Sequence, residues 1–443
     1  MTPHRALLIG ALAGTAAAAL LPPTEPGLGW ALTAALVLAL LRHVRPGWAV
    51  LSVALFGVGA VVAAGWLFAL CAAAGCAAAS LAVAGGRTAR GLLVGAGAVP
   101  VAAVRAVPWL ARGVRRAGTP PLTRPVLVTA GLLLVFVPLL AGADAAFADL
   151  LGSLAPDEPS GQPVVLFAVV GLGAVGAAHL RVSPVDADEP SDLPRTVARR
   201  DWALPVGALV LLFTAFVVVQ VDTLFAGDEH VLVTPDLTYA DYARSGFWQL
   251  LAVTVLTLGV IAVVARFAHL DSPADRRWLR GLLGALSGLT LVIVASALAR
   301  MWLYQQAYGF TVARVAVAGC ELWLGAVYLL VLAAGVRLRA GWLARAVVGT
   351  GFAALVGLAA LNPDRFAAER NVERYEATGK IDVWYLARLS DDAVPALAGL
   401  PPELRDCALE FRRVEPDDWR SWNLGRQRAR EALAGFSWNG CAR

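Results

Sequence analysis

Charge is what this sequence has least of. Only 16% of its 443 residues are charged, against about 25% in soluble domains. Lysine is almost missing: Lys380 stands alone, so nearly every cation is an arginine. We read this as the codon bias of a GC-rich bacterial genome. The five cysteines show no CxxC or Cys/His spacing, which removes a zinc site as an expectation. No glycine-rich phosphate loop follows a strand, and no GxSxG or HExxH occurs. Kinase, ATPase, serine hydrolase and zincin chemistries therefore have nothing to stand on, and no cofactor is implied.

Long apolar runs fill the space that charge leaves. The chain is 58% hydrophobic, and its mean hydropathy of +0.67 excludes an ordinary soluble enzyme, a disordered chain and a coiled coil. At about 20 residues per crossing, it reads as an all-α, polytopic helical membrane protein. Spans are expected at 6–21, 27–41, 47–63, 66–84, 126–147, 164–180, 203–225, 247–267, 282–302, 312–336 and 342–361, about eleven in all. The first three are short.

Arginine placement tests that count. With the N-terminus in the cytoplasm, the inside loops hold Arg42 and Arg45, the run Arg87 to Arg124, Arg181 to Arg200, Arg276 to Arg280, and Arg337 with Arg339. The outside loops are neutral or acidic, and Arg244 is their one clear cation. This is the positive-inside pattern. It expects a multi-pass protein of the bacterial plasma membrane with an extracytoplasmic C-terminus. The arginine-rich loops are short and flank spans, so membrane lipids are the expected partner and nucleic acid is not. Most tryptophans fall near span ends, as an interfacial indole should, with Trp323 the mid-span exception.

Four segments follow. Residues 1–84 are N-terminal spans. Residues 85–125, with Pro100 and Pro108, read as amphipathic pieces on the cytoplasmic face, with a re-entrant hairpin as the alternative. Residues 126–361 are the transmembrane core, and 362–443 are a small helical tail. The spacings Gly10–Gly14 and Gly284–Gly288 suggest close helix contacts. In the tail, Asn362 caps a helix with Pro363 in its first turn and a stop at Gly379. Ser390 is a second expected cap, and 403–411 and 417–433 are expected helices. An external tail is oxidising, so Cys407 and Cys441 are a candidate disulfide, with two free thiols the alternative. Cys71, Cys76 and Cys320 lie in spans and read as small apolar residues.

Several spaced motifs occur in order: LTYADYARSGFWQLL at 237–251, RMWLYQQAYGFTVARV at 300–315, NPDRFAAERNVERYEATGKIDVWYLARLSDDAVPAL at 362–397, and DWRSWN at 418–423. With them the chain resembles the bacterial membrane family known as domain of unknown function 4173, over roughly 126–432. That resemblance implies an architecture and no activity.

Ionisable groups at span ends are costly and need partners. Asp144, Asp222, Arg244, Arg300, Tyr304, Tyr308 and Arg314 all reach the outer leaflet under this topology. Arg300, Tyr304 and Tyr308 share a helix face. The cluster is either a packing network or an outward pocket for an anionic group, with Asp144 and Asp222 the expected partners of Arg300 and Arg314. Three functions are weighed. The first is a non-enzymatic envelope scaffold or sensor that binds a protein partner through 362–443. The second is a lipid or small-solute carrier using the outer cluster, and the third an envelope-lipid enzyme. A lateral cavity between helices would favour carrier or enzyme, and a filled core would favour the scaffold.

Overall fold

The computed structural model describes residues 2–22, 25–115, 161–185, 188, 197–225, 239–338, 340–410, 412–434 and 441. Side chains at 111–115, 161, 220–225 and 239–248 are not described. Among the described residues the secondary structure is helical and includes no strand. They fall into two compact units, Met1–Asp188 with Arg413–Glu431, and Glu189–Arg412 with Ala432–Arg443.

The first unit holds α1 (Pro3–Leu20), α2 (Leu28–Leu41), α3 (Pro46–Gly57), α4 (Gly65–Ala84), α5 (Ala89–Ala96), α6 (Ala98–Arg115) and α7 (Gly161–His179). Glycine makes its closest seam. A Cβ at Gly10 would lie 2.6 Å from Val175 Cγ2, and one at Gly14 would lie 2.6 Å from the Phe167 carbonyl, so α1 and α7 pack almost backbone to backbone. α5 and α6 bend by 55° at Gly97 and together are apolar enough for a broken span or a re-entrant pair. The Ser80 hydroxyl donates to Gly95 O at 2.6 Å and accepts from Val99 N at 3.1 Å, binding that bend to α4.

The second unit holds α8 (Arg199–Phe225), α9 (Tyr239–Phe267), α10 (Pro273–Tyr308), α11 (Val312–Arg337) and α12 (Leu343–Leu361). The tail adds α13 (Pro363–Thr378), α14 (Val383–Leu386), α15 (Val394–Leu397) and α16 (Pro402–Leu409). α10 has 36 residues, about 54 Å, so it outruns a hydrocarbon core of about 30 Å. Ser272 and Asp275 close a capping box at its start. Its buried face, with Leu279, Leu286, Ile293, Ala297 and Met301, meets Val206 and Phe213 of α8, Leu250 and Ile261 of α9, and Tyr328 of α11.

Seven described helices are long and apolar enough to cross a membrane, or up to eight if the bent pair is one span. α1 is a helix that falls outside that set, and α2 and α3 are shorter apolar helices. The expected span at 126–147 lies outside the described residues.

In the tail, Asn362 caps α13 from the left-handed region (φ 52°), and Gly379 ends it at φ 69°. Two local expectations are corrected. The Ser390 hydroxyl donates to Asp392 rather than capping a helix. Residues 417–423 are not helical, because the Asp418 carboxylate accepts from Ser421 N at 2.7 Å and from the Ser421 hydroxyl at 2.8 Å, which makes a turn before α17 (Leu424–Leu433). Cys407 and Cys441 form a disulfide within the second unit, with Cα atoms 4.6 Å apart.

Candidate functional sites

The α10–α11 corner gathers most of the described polar residues that the sequence singles out. Gly309 takes φ 89°, where side chains are strained, and the chain reverses there. The Arg314 guanidinium turns back over the corner. It donates to Gly309 O at 2.8 Å and to Tyr304 Oη at 3.4 Å, and stacks 4.4 Å from the Tyr304 ring centre. Tyr308 lies against Tyr304, with centroids 5.0 Å apart, and is half exposed. Arg300 is half-buried one turn before Tyr304.

The tail closes on the same corner. Asn371 of α13 accepts from Phe310 N at 3.1 Å and donates to Phe310 O at 2.7 Å. Arg374 donates to the carbonyls of Gln306 (3.2 Å) and Ala307 (2.7 Å), which the end of α10 leaves unpaired. Tyr385 Oη accepts from Val312 N at 2.7 Å. Burial pushes the Tyr385 phenol above its usual range, and the Val312 bond partly offsets this. The motifs at 300–315 and 362–397 are thus two halves of one joint.

Asp144 lies outside the described residues, as do the side chains of Asp222 and Arg244, and the acidic stretch Asp228–His230 lies outside them too. The expected pairing of Arg300 and Arg314 with those aspartates falls on undescribed positions.

The DWRSWN motif makes a second joint, inside the first unit. Asn423 is fully buried and donates to Gly59 O (2.8 Å) and Val62 O (2.9 Å), where the chain unwinds after α3. Leu28 N donates to Trp422 O, and Gly29 N donates to Arg420 O. Buried Asp417 takes Arg426 at 2.8 Å and Arg430 at 3.0 Å. The backbone N–H of Ser421 holds the Asp418 carboxyl down at about 2. Asp188 works similarly at the start of α5: it accepts from the N–H groups of Arg87 and Thr88, and the Thr88 and Arg87 bonds, in that order, keep its carboxyl below the usual range.

Two features of the second unit have no counterpart in the sequence reading. The first is an apolar crevice of about 690 Å³ between the ends of α9 and α11 and the starts of α10 and α12. Leu258, Leu283, Val327 and Val331 line it, with Arg280 at its polar edge. A Cβ at Gly284 or Gly288 would meet nothing within 4 Å, so that pair is not a helix contact. Ser287 lines the crevice as well, and its buried Oγ has no hydrogen-bond partner.

The second is a polar seam in the core. Glu321 of α11 is fully buried. Thr254 Oγ1 lies 3.4 Å from Glu321 Oε1, and Tyr328 Oη donates to Thr254 O at 2.7 Å. The available signal was a lone acid inside an otherwise apolar run, whereas attention to span ends passes it by. Among the described residues, no three His, Cys, Asp or Glu side chains group as a metal site.

Seven described helices of spanning length and apolar composition, in an all-helical set of described residues, define a polytopic helical membrane protein. The family model described as Domain of unknown function (DUF4153) matches residues 50–400, and the chain belongs to that family. The finer resemblance to family 4173 is not confirmed by this match. No curated protein and no solved structure matches the chain.

Proposed function

We propose that this is a bacterial plasma-membrane protein that holds a single lipid-like amphiphile in the second-unit crevice, as a carrier or as a protein that responds to the bound molecule. The crevice carries this reading. Its volume of about 690 Å³ falls in the range of small-molecule pockets, about 300–1,000 Å³. Its walls suit an acyl chain, and Arg280 suits an acidic head group. Arg276 and Arg277 stand on the same end of α10, which the positive-inside pattern assigns to the cytoplasmic face. The outer Arg/Tyr cluster loses ground as a ligand pocket, because Arg314 and Tyr304 are engaged in the corner.

Lipid retained by the purified full chain tests this, with native mass spectrometry as the readout. Wild type should carry a bound acidic lipid. Gly284→Phe should lose it without losing thermal stability, since the ring enters open space. A wild-type protein with no bound lipid, or a Phe variant with undiminished lipid, would refute the reading.

A second reading rests on the tail. Trp384 is 62% exposed on α14, an anchor of the kind protein interfaces favour. An envelope protein captured through 362–443 should be lost in Trp384→Ala and retained when Gly284 is changed.

A further inference from the structure

The seam holds a group that lipid binding does not use. Glu321 lies nine residues after Val312 and sixteen before Arg337, about 13 Å and 24 Å along the helix axis. Among the described residues one carboxyl oxygen meets only Thr254 Oγ1, whose single proton is divided between it at 3.4 Å and Leu250 O at 2.9 Å. The other oxygen is buried with no hydrogen-bond partner among the described residues.

The packed elements bring no cation to its level. α9 has no ionisable residue between Gln249 and Arg266, α10 has none between Arg280 and Arg300, and α12 has none after Arg345. On α11 itself, Arg314 is turned away to Gly309 and Tyr304, and Arg337 ends the helix. α13 meets the corner through Asn371 and Arg374, at the Phe310 end of α11. Among the described residues, Tyr328 and the exposed Cys320 are the remaining titratable neighbours.

Further hydroxyls stand on the crevice side of Glu321. The Tyr328 hydroxyl, with Thr257 and Thr290 beside it, donates to the Thr254 backbone carbonyl and not to the Thr254 hydroxyl. One turn from Thr290, Ser287 presents its unpartnered Oγ at the crevice. We propose that Glu321 is a proton-binding site of the membrane interior, which holds its proton as the neutral acid. A carboxylate stranded in an apolar bundle is costly, so the proton is the ligand that makes the group tolerable. A metal cation would need about six oxygens, whereas one carboxyl oxygen here stands alone and the Thr254 hydroxyl is committed.

Dicyclohexylcarbodiimide is a suitable probe, because it is apolar and reacts with carboxylic acids rather than carboxylates. The acid O–H adds across a C=N bond, its proton passes to nitrogen, and the acyl group then migrates from oxygen to nitrogen, with no leaving group. In the full chain in phospholipid nanodiscs, peptide mass spectrometry should find the adduct on Glu321 at low pH. Its yield should fall about tenfold per pH unit above the midpoint, and Glu321→Gln should abolish it. The wild-type profile stands by itself if that variant does not fold. No adduct at any pH, or a yield flat with pH, would overturn the proposal. Protection by sodium at constant pH would overturn it in favour of a cation site. An intact profile in Gly284→Phe, alongside lost lipid, keeps this test separate from that of the crevice.

Discussion

Two asparagines hold the corners by the same chemistry. Asn371 grips both backbone groups of Phe310, and Asn423 spans the carbonyls of Gly59 and Val62. An amide offers two N–H donors and a carbonyl acceptor on separate atoms. Replacing either with leucine leaves buried backbone groups unpaired, at about 1–3 kcal/mol. Asn423→Leu should lower thermal stability by that order in a detergent melt, while Asn423→Gln should recover part of it. Asp418 gives a pH-dependent counterpart. Its carboxyl is depressed from 3.8 to about 2 in the folded chain. Its contribution is therefore complete above the unfolded value and lost as pH falls through about 2. The stability gap between wild type and Asp418→Asn should be constant near neutrality and close between about pH 4 and 2. A gap that widens in acid would contradict the turn. Residue types were legible here and partners were not: Asn362 announced its cap through the following proline, but nothing local to Asn371 or Asn423 points to a backbone sixty or more positions away.

Helices were the legible level, since the apolar runs at 203–225, 312–336 and 342–361 end within a few residues of α8, α11 and α12. Glycine pairs were not legible, because spacing is identical whether a neighbour is present or absent. Gly10 and Gly14 face α7 within contact distance, while Gly284 and Gly288 face open space. Gly14→Val should thus disrupt the first unit, and Gly288→Val should be tolerated in a thermal-shift assay. The disulfide belongs to this scale too. It closes a separation of 34 residues, and a bond of that loop length stabilises by about 2–4 kcal/mol. Cys407→Ser and treatment with reductant should each lower the melting temperature, without adding to one another. A melt insensitive to reductant would mean that the two thiols are unbonded in the native protein.

The tail divides between two units that the sequence did not separate. Residues 413–431 belong with Met1–Asp188, and the preceding part of the tail belongs with the second unit. Both portions are charged and helical, so composition could not mark the division. Composition does carry an expectation of sidedness. α10 runs continuously from Pro273 to Tyr308, and its two ends differ in charge: Arg276, Arg277 and Arg280 stand at one, and the uncharged run Gln305 to Tyr308 at the other. On the positive-inside pattern we propose that the arginines face the cytoplasm, and that the α10–α11 corner and the α13 segment gripping it lie on the opposite face. A disulfide in the same unit fits that face, because oxidising compartments preserve such bonds. Cysteines introduced at exposed Arg277 and Gln306, with Cys76 and Cys320 replaced by serine, report the two ends directly. In intact cells a membrane-impermeant maleimide should label Gln306→Cys and spare Arg277→Cys, with both labelled after lysis. The reverse pattern would place the tail in the cytoplasm, where Cys407 and Cys441 would be expected reduced, and would move the crevice with its Arg280 edge to the outer leaflet.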